Sequence, residues 1–247
     1  MSEALLPRWR DDWALFLDVD GTLLEIAAAP AAVYVPQRVI DVLSSIDERL
    51  GGALALVSGR IIHDVDRLFA PLRLAVAGAH GAERRAASGR LERRDDSAPL
   101  APAKRLLTEW AALHTGTLVE DKGSALALHY RQAPTHEAAA RRVVAEALLA
   151  VGPEFHLQEG KKVLEIRADA VGKGRAIAAF MSERPFKGRL PVFIGDDLTD
   201  EAGFETVNRL GGHSIAVGVD RATHATWHLA DEASVLDWLE APLGRAP

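Results

Sequence analysis

The sequence predicts an α/β protein: a doubly wound parallel sheet with a small α+β domain inserted into it. Three observations predict this. Short apolar runs recur, each ending in a polar or glycine-containing cluster. Helical stretches separate several of them, and the rhythm breaks once, in the middle of the chain.

The runs are Trp13–Leu17 before Asp18, Ala53–Val57 before Ser58, Leu74–Ala77 before Gly78, Pro191–Ile194 before Gly195, and Ser214–Val217 before Gly218. Continuous rather than alternating apolarity fits strands buried on both faces. Helix-like stretches lie at Gln37–Arg49, Ile61–Phe69, Lys173–Met181 and Thr199–Asn208, with a last helix at Ser234–Leu239. Strands alternating with helices make a parallel sheet with right-handed crossovers, whose ligand site lies at the carboxyl ends of the strands.

The middle of the chain reads differently. After a polar stretch, Glu83–Pro102, come a helix at Ala103–His114, strands at Leu118–Glu120 and Ser124–Tyr130, and a helix at Thr135–Ala150. Strands at Phe155–Gln158 and Lys162–Arg167 follow. This αββαββ order sets the insert at 101–168, between core segments 1–100 and 169–247.

Composition narrows the function. The 247 residues are 48% hydrophobic, 26% charged and carry a formal charge of −6. No basic excess exists to hold nucleic acid, and a phosphorylated substrate would need local positive charge or a metal ion. With no cysteine, disulfides, thiolate metal sites and cysteine nucleophiles are excluded. The N-terminus reaches charged residues too soon for a signal peptide, and no apolar run approaches the roughly 20 residues of a membrane span. The expectation is a cytoplasmic protein with no membrane association.

The sharpest local signal is Asp18-Val19-Asp20-Gly21-Thr22-Leu23, directly after an apolar strand. In extended chain, Asp18 and Asp20 face one side and can share a ligand, and a divalent cation is the usual way to hold two adjacent carboxylates. Asp and Gly also favour turns, so a strand-end turn would give the same letters. A second acidic cluster, Gly195-Asp196-Asp197-Leu198-Thr199-Asp200-Glu201, follows another buried strand and opens a helix. Helix capping by Thr199 or Asp200 explains part of it, but four acidic residues in seven exceed what a cap needs. Ser58-Gly59-Arg60 offers a hydroxyl and backbone N–H groups for phosphate oxygens, or a serine cap. Lys173, just before a helix, offers a fixed cation, or a surface lysine. His224 and His228 beside Trp227 could be mistaken for a metal site and read better as surface and packing near the last helix.

In order, spacing and strand-end context, these four segments resemble the motifs of the haloacid dehalogenase superfamily. The resemblance implies that Asp18 is the nucleophile and Asp20 the general acid/base. It implies that Ser58 and Lys173 bind the phosphoryl group, and that Asp18, Asp196 and the backbone carbonyl of Asp20 hold Mg²⁺. Asp197 and Asp200 would orient the ligands or the lysine. An insert between the third strand and the lysine is the position of a substrate-selecting cap.

Further segments narrow the resemblance. Gly78-Ala79-His80-Gly81-Ala82-Glu83-Arg84, Val119-Glu120-Asp121-Lys122-Gly123-Ser124 running to His129-Tyr130-Arg131, Gly160-Lys161-Lys162-Val163-Leu164-Glu165-Ile166-Arg167, and the Gly195–Glu201 motif with Phe204 resemble the trehalose-6-phosphate phosphatase family. That implies a small sugar phosphate as substrate and a functional link to a trehalose-phosphate synthase. Glu120, Lys122 and Glu165 would bind the glucose ring that lacks the phosphate, and Arg60 and His80 would line the substrate site between cap and core. The alternatives are a phosphatase of the same fold for sucrose or mannosylglycerate phosphate, or a catalytically silent sugar-phosphate sensor. A sensor has no need of a second carboxylate such as Asp20.

Overall fold

A computed structural model of the chain describes residues 6–25, 33–93, 97–121, 125–152, 155–160, 162–168 and 172–244. The chain divides into two compact units, Met1–Arg93 with Gly172–Pro247, and Arg94–Val171. The first unit begins with β1 (Trp13–Leu17), α1 (Gln37–Arg49), β2 (Leu54–Val57), α2 (Ile62–Leu68), β3 (Ala75–Gly78) and the hairpin β4 (Glu83–Arg85) and β5 (Leu91–Arg93). The second contains α3 (Ser97–Ala112), β6 (Leu118–Asp121), β7 (Ala125–His129), α4 (Glu137–Val151), β8 (Phe155–Gly160) and β9 (Val163–Ala168). The first unit resumes with α5 (Lys173–Met181), β10 (Leu190–Gly195), α6 (Glu201–Arg209), β11 (His213–Val217), β12 (Trp227–Leu229) and α7 (Glu232–Glu240).

The first unit is built on one sheet ordered β12-β11-β10-β1-β2-β3-β4-β5. Six strands from β12 to β3 run parallel, and β4 and β5 are antiparallel. All five residues of β1 are fully buried, which is why this strand reads as an unbroken apolar run. The chain winds outward from β1 through β2 and β3, then returns to β1's other side with β10 and winds outward again. The order therefore reverses between β1 and β10, and ligands bind at such a reversal, beyond the carboxyl ends of the strands.

The expected α/β class holds; one helix starts earlier than expected, and two short elements were not expected. The polar stretch after β3 forms the hairpin β4–β5. Its arginines are satisfied by ion pairs, so apolar alternation is absent: buried Arg85 forks onto Asp66 at 2.7 and 2.6 Å, and Arg84 pairs with Glu92 and Glu183. Helix α3 starts six residues before the expected Ala103 and carries Pro102 inside it. A proline there costs roughly 3 kcal/mol, offset by burial of Leu100, Ala103 and Leu107 along one face. Trp227 and His228, expected as surface and packing near the last helix, lie in the short edge strand β12, with Trp227 packed against the core cluster that includes Val235 and Leu239.

The second unit is an antiparallel sheet, β6-β7-β9-β8. Leu126, Leu128, Leu164 and Ile166 pack against Leu107 of α3 and Val144 and Ala147 of α4. Residues of opposite parity face the other way, and the register sets Glu120, Ala127, Glu165 and Gln158 in one row across the four strands. Among the described residues no helix is long and apolar enough to cross a membrane.

Candidate active site

At the end of β1 the Asp18 N–H donates to the Ile194 carbonyl of β10 at 3.0 Å, tying the two central strand ends together. The Asp18 side chain is only 6% exposed. Its partner is Lys173, at the first position of α5, whose ammonium lies 2.8 Å from Asp18 Oδ1 and 2.6 Å from Asp200 Oδ1. Asp200 is fully buried, and its other oxygen accepts from the N–H groups of Asp196 (3.1 Å) and Asp197 (2.9 Å). One side chain thus fixes both the lysine and the loop that carries Asp196. Asp197 also accepts from the Leu198 N–H, and with Asp200 makes a capping box on the turn Leu198–Asp200. The cap comes from Asp197 and Asp200, not from Thr199.

Oxygens of Asp18, Asp196 and Asp200 lie within 4.8 Å of one another. Thr22 donates to Asp196 Oδ1 at 3.2 Å. Gly21, with φ +84°, lets the turn pass so close that a Cβ there would sit 2.2 Å from Asp196 Oδ2. Thr22 carries no obvious signal in the sequence beyond its place in the Asp18–Leu23 run.

The electrostatics follow from burial. Desolvation pushes Asp18 up to about 7 against the pull of Lys173. It pushes Asp200 up to about 6, helped by the neighbouring Asp18 charge, and raises Asp196 as well. Burial alone would lower Lys173, yet Asp18 and Asp200 outweigh it and hold the ammonium above its ordinary value. Three crowded carboxylates resisting ionisation beside one ammonium leave negative charge that a divalent cation would offset. The donor set is all oxygen, which suits a hard ion. Asp200 already spends its oxygens on Lys173 and two backbone N–H groups, so Asp18 and Asp196 are the side chains placed to ligate.

Asp20 follows Asp18 by two residues, just beyond the end of β1. The strand ends at Leu17, and the N–H groups of Leu23 and Leu24 both turn back to the Val19 carbonyl. Asp20 itself makes an isolated bridge with Leu24. The Asp20 carboxylate meets Arg60, with Nε–Oδ2 and Nη2–Oδ1 both 2.7 Å.

Ser58 sits buried at the end of β2, its Oγ accepting from the Arg60 N–H at 3.1 Å, which leaves its own proton to donate. His80 lies against this loop: its N–H donates to the Ser58 carbonyl at 3.0 Å, and its backbone is left-handed at φ 55°. In the second unit, Glu120 Oε2 lies 2.8 Å from His129 Nε2, and Glu165 lies 3.6 Å from Arg167. Lys122 and Lys161 fall outside the described residues. His224 pairs with Glu201 and Glu205, each at 3.1 Å, as a surface residue does.

The trehalose-phosphatase family profile matches residues 16–237, most of the chain and all of this constellation. The chain belongs to the trehalose-phosphatase family. It is 48% identical over 208 residues to a probable trehalose-phosphate phosphatase of Sinorhizobium fredii, covering 84% of this chain and 78% of that protein. It is 46% identical over 240 residues to the trehalose-6-phosphate phosphatase of Escherichia coli, covering 95% and 88%. The solved trehalose-6-phosphate phosphatase of Aspergillus fumigatus superposes with a TM-score of 0.78 at 26% identity, covering 92% and 90%. The fold is that of haloacid dehalogenase-type phosphatases, a family that implies a divalent metal, and Asp18, Asp196 and Asp200 form a group that could hold one.

Proposed function

We propose that this chain hydrolyses trehalose 6-phosphate to trehalose and inorganic phosphate through a phosphoryl group carried on Asp18. The observation that carries the reading is the buried chain Asp18–Lys173–Asp200 beside Asp196, at the point where the strand order reverses. An isolated structural carboxylate needs neither a buried lysine nor two further acids beside it.

Asp18 attacks phosphorus with the oxygen not held by Lys173. The bond from phosphorus to the sugar oxygen breaks, and that oxygen takes its proton from Asp20. Water then attacks the phosphoryl group, Asp20 removes its proton, and the bond from phosphorus to Asp18 breaks. Lys173 offsets charge on the phosphoryl oxygens and favours the ionised form of Asp18, and the Ser58 hydroxyl donates to one of those oxygens. Asp18, Asp196 and the backbone carbonyl of Asp20 would hold Mg²⁺, which supplies Lewis-acid neutralisation of the phosphoryl charge. Asp197 and Asp200 keep the loop and lysine in place.

The sugar is read by the insert, which serves as the specificity domain. Glu120 and Glu165 share one row, separated by β7 and so by about 10 Å, two strand spacings. Carboxylates at that distance can accept from hydroxyls on opposite sides of a hexose ring, with Lys122 as donor. Arg60 and His80 border the phosphoryl side of the site. A trehalose-phosphate synthase, which makes the ester, is the proposed functional partner, and both would work in the cytoplasm.

Phosphate release from trehalose 6-phosphate, sucrose 6-phosphate, mannosylglycerate phosphate and glucose 6-phosphate tests the substrate. Trehalose 6-phosphate should give the highest kcat/KM. A higher value for sucrose or mannosylglycerate phosphate would reassign the insert, and no release from any of them would leave a binding protein.

A further inference from the structure

We propose that Arg60 is the positioning residue for Asp20: its guanidinium fork holds the acid/base carboxylate, and acts on the reaction through it. The inference rests on the role assigned to Asp20 above.

The site contains two cations on three carboxylates, in two separate groups. Lys173 lies between Asp18 and Asp200. Arg60 reaches Asp20 with two parallel contacts of 2.7 Å, Nε to Oδ2 and Nη2 to Oδ1. A single ammonium fixes a distance, whereas a planar fork fixes the plane and direction of a carboxylate. Direction matters at Asp20, which must meet the departing sugar oxygen and later a water.

Arg60 is built to be rigid. Its side chain is 13% exposed, against 33% for Asp20. Its N–H donates to Ser58 Oγ at 3.1 Å, and its carbonyl accepts from the Ala79 N–H at 2.7 Å. Two residues on, the Ile62 N–H donates to Glu83 Oε2 at 3.0 Å. Behind the loop, the His80 ring packs so tightly on Gly59 that a Cβ there would lie 2.7 Å from Cε1. The segment Ala79–Glu83 thus braces the loop, and the loop aims the guanidinium.

The alternative use of Arg60 is direct grip on the phosphoryl group. A grip through the Nε–H or the engaged Nη2–H would require that group to leave Asp20. The fork instead matches the carboxylate that remains after Asp20 has given its proton to the departing oxygen.

Trehalose 6-phosphate has a poor alkoxide leaving group that needs the proton, whereas 4-nitrophenyl phosphate has a good one that needs it little. Arg60→Gln should lower kcat on the sugar ester by at least about tenfold more than on the aryl ester. Competitive inhibition by inorganic phosphate should be unchanged, which also shows that the variant is folded. Asp20→Asn should show the same split, and the double variant should be no worse than Asp20→Asn alone, since both act through one group. Equal losses on both esters, with or without weaker phosphate inhibition, would overturn the inference, as would no loss on either. If Asp20→Asn shows the split and Arg60→Gln does not, this inference alone fails. If Asp20→Asn shows no split, the assigned role of Asp20 fails and takes the inference with it.

Discussion

Lys173→Met removes the cation from between two buried carboxylates without changing the shape of the stem. The ammonium is 3% exposed and lies 2.8 Å from Asp18 and 2.6 Å from Asp200, themselves 6% and 0% exposed. Taking one partner from a buried pair costs roughly 3–5 kcal/mol, because the other charge is left uncompensated. For a chain of this size that corresponds to a fall in Tm of roughly 6–20 °C. The cost depends on pH in a defined direction. Burial places Asp18 at about 7 and Asp200 at about 6, so both are ionised at about pH 8 and both carry protons at about pH 5. Lys173 lowers both values, so in the variant both rise further. At the higher pH the variant's folded state must hold either bare charge or protons that the unfolded chain has released. Urea or thermal unfolding of wild type and variant in EDTA, at both pH values, measures the difference. The loss should be largest at the higher pH and shrink at the lower. A loss below about 1 kcal/mol at the higher pH, or one equal at both, would refute the paired-charge account.

The wild-type protein in EDTA should itself lose stability as pH rises from about 4 to about 7, since the folded state holds protons on Asp18 and Asp200 that the unfolded chain has already released. Mg²⁺ should flatten that decline by binding only the folded form, and a scan unaffected by Mg²⁺ would remove the metal from this site. Asp18→Asn should fold as the wild type and lose turnover entirely, because an amide oxygen cannot take the phosphoryl group; a tenth of normal activity would exclude the assigned nucleophile. Gly21→Ala should weaken Mg²⁺ affinity measured by titration calorimetry, because its Cβ would press on Asp196 from a left-handed backbone; unchanged affinity would mean that Asp196 does not ligate. Truncating Glu120 or Glu165 should cost roughly 1.5–3 kcal/mol of transition-state stabilisation on the disaccharide ester and little on an aryl phosphate, and equal losses on both would return those residues to a structural role.

Much of the first unit could be read from the chain because β1, β2, β3, β10 and β11 are buried on both faces, so their sequences are unbroken apolar runs. The positions of Asp18 and Asp196 at strand ends followed from the same runs. Other features left weaker traces. The hairpin β4–β5 hides its polarity in ion pairs such as Arg85–Asp66, which look like solvated surface when read residue by residue. Helix α3 runs through Pro102 because tertiary burial outweighs a local penalty. The link from Lys173 to Asp200 spans 27 residues, and that from Arg60 to Asp20 spans 40. No local pattern specifies which cation meets which carboxylate. That choice is made by the order of strands in the sheet and by the turn that starts at Asp18.

The most direct measurement is rapid acid quenching of the protein mixed with Mg²⁺ and trehalose 6-phosphate radiolabelled in its phosphoryl group. Label should appear on the protein before it appears as free phosphate, and proteolysis should place it on the peptide containing Asp18. It should be absent from Asp18→Asn. Label that passes to phosphate at full rate without ever residing on Asp18, or that settles on another residue, would contradict the account.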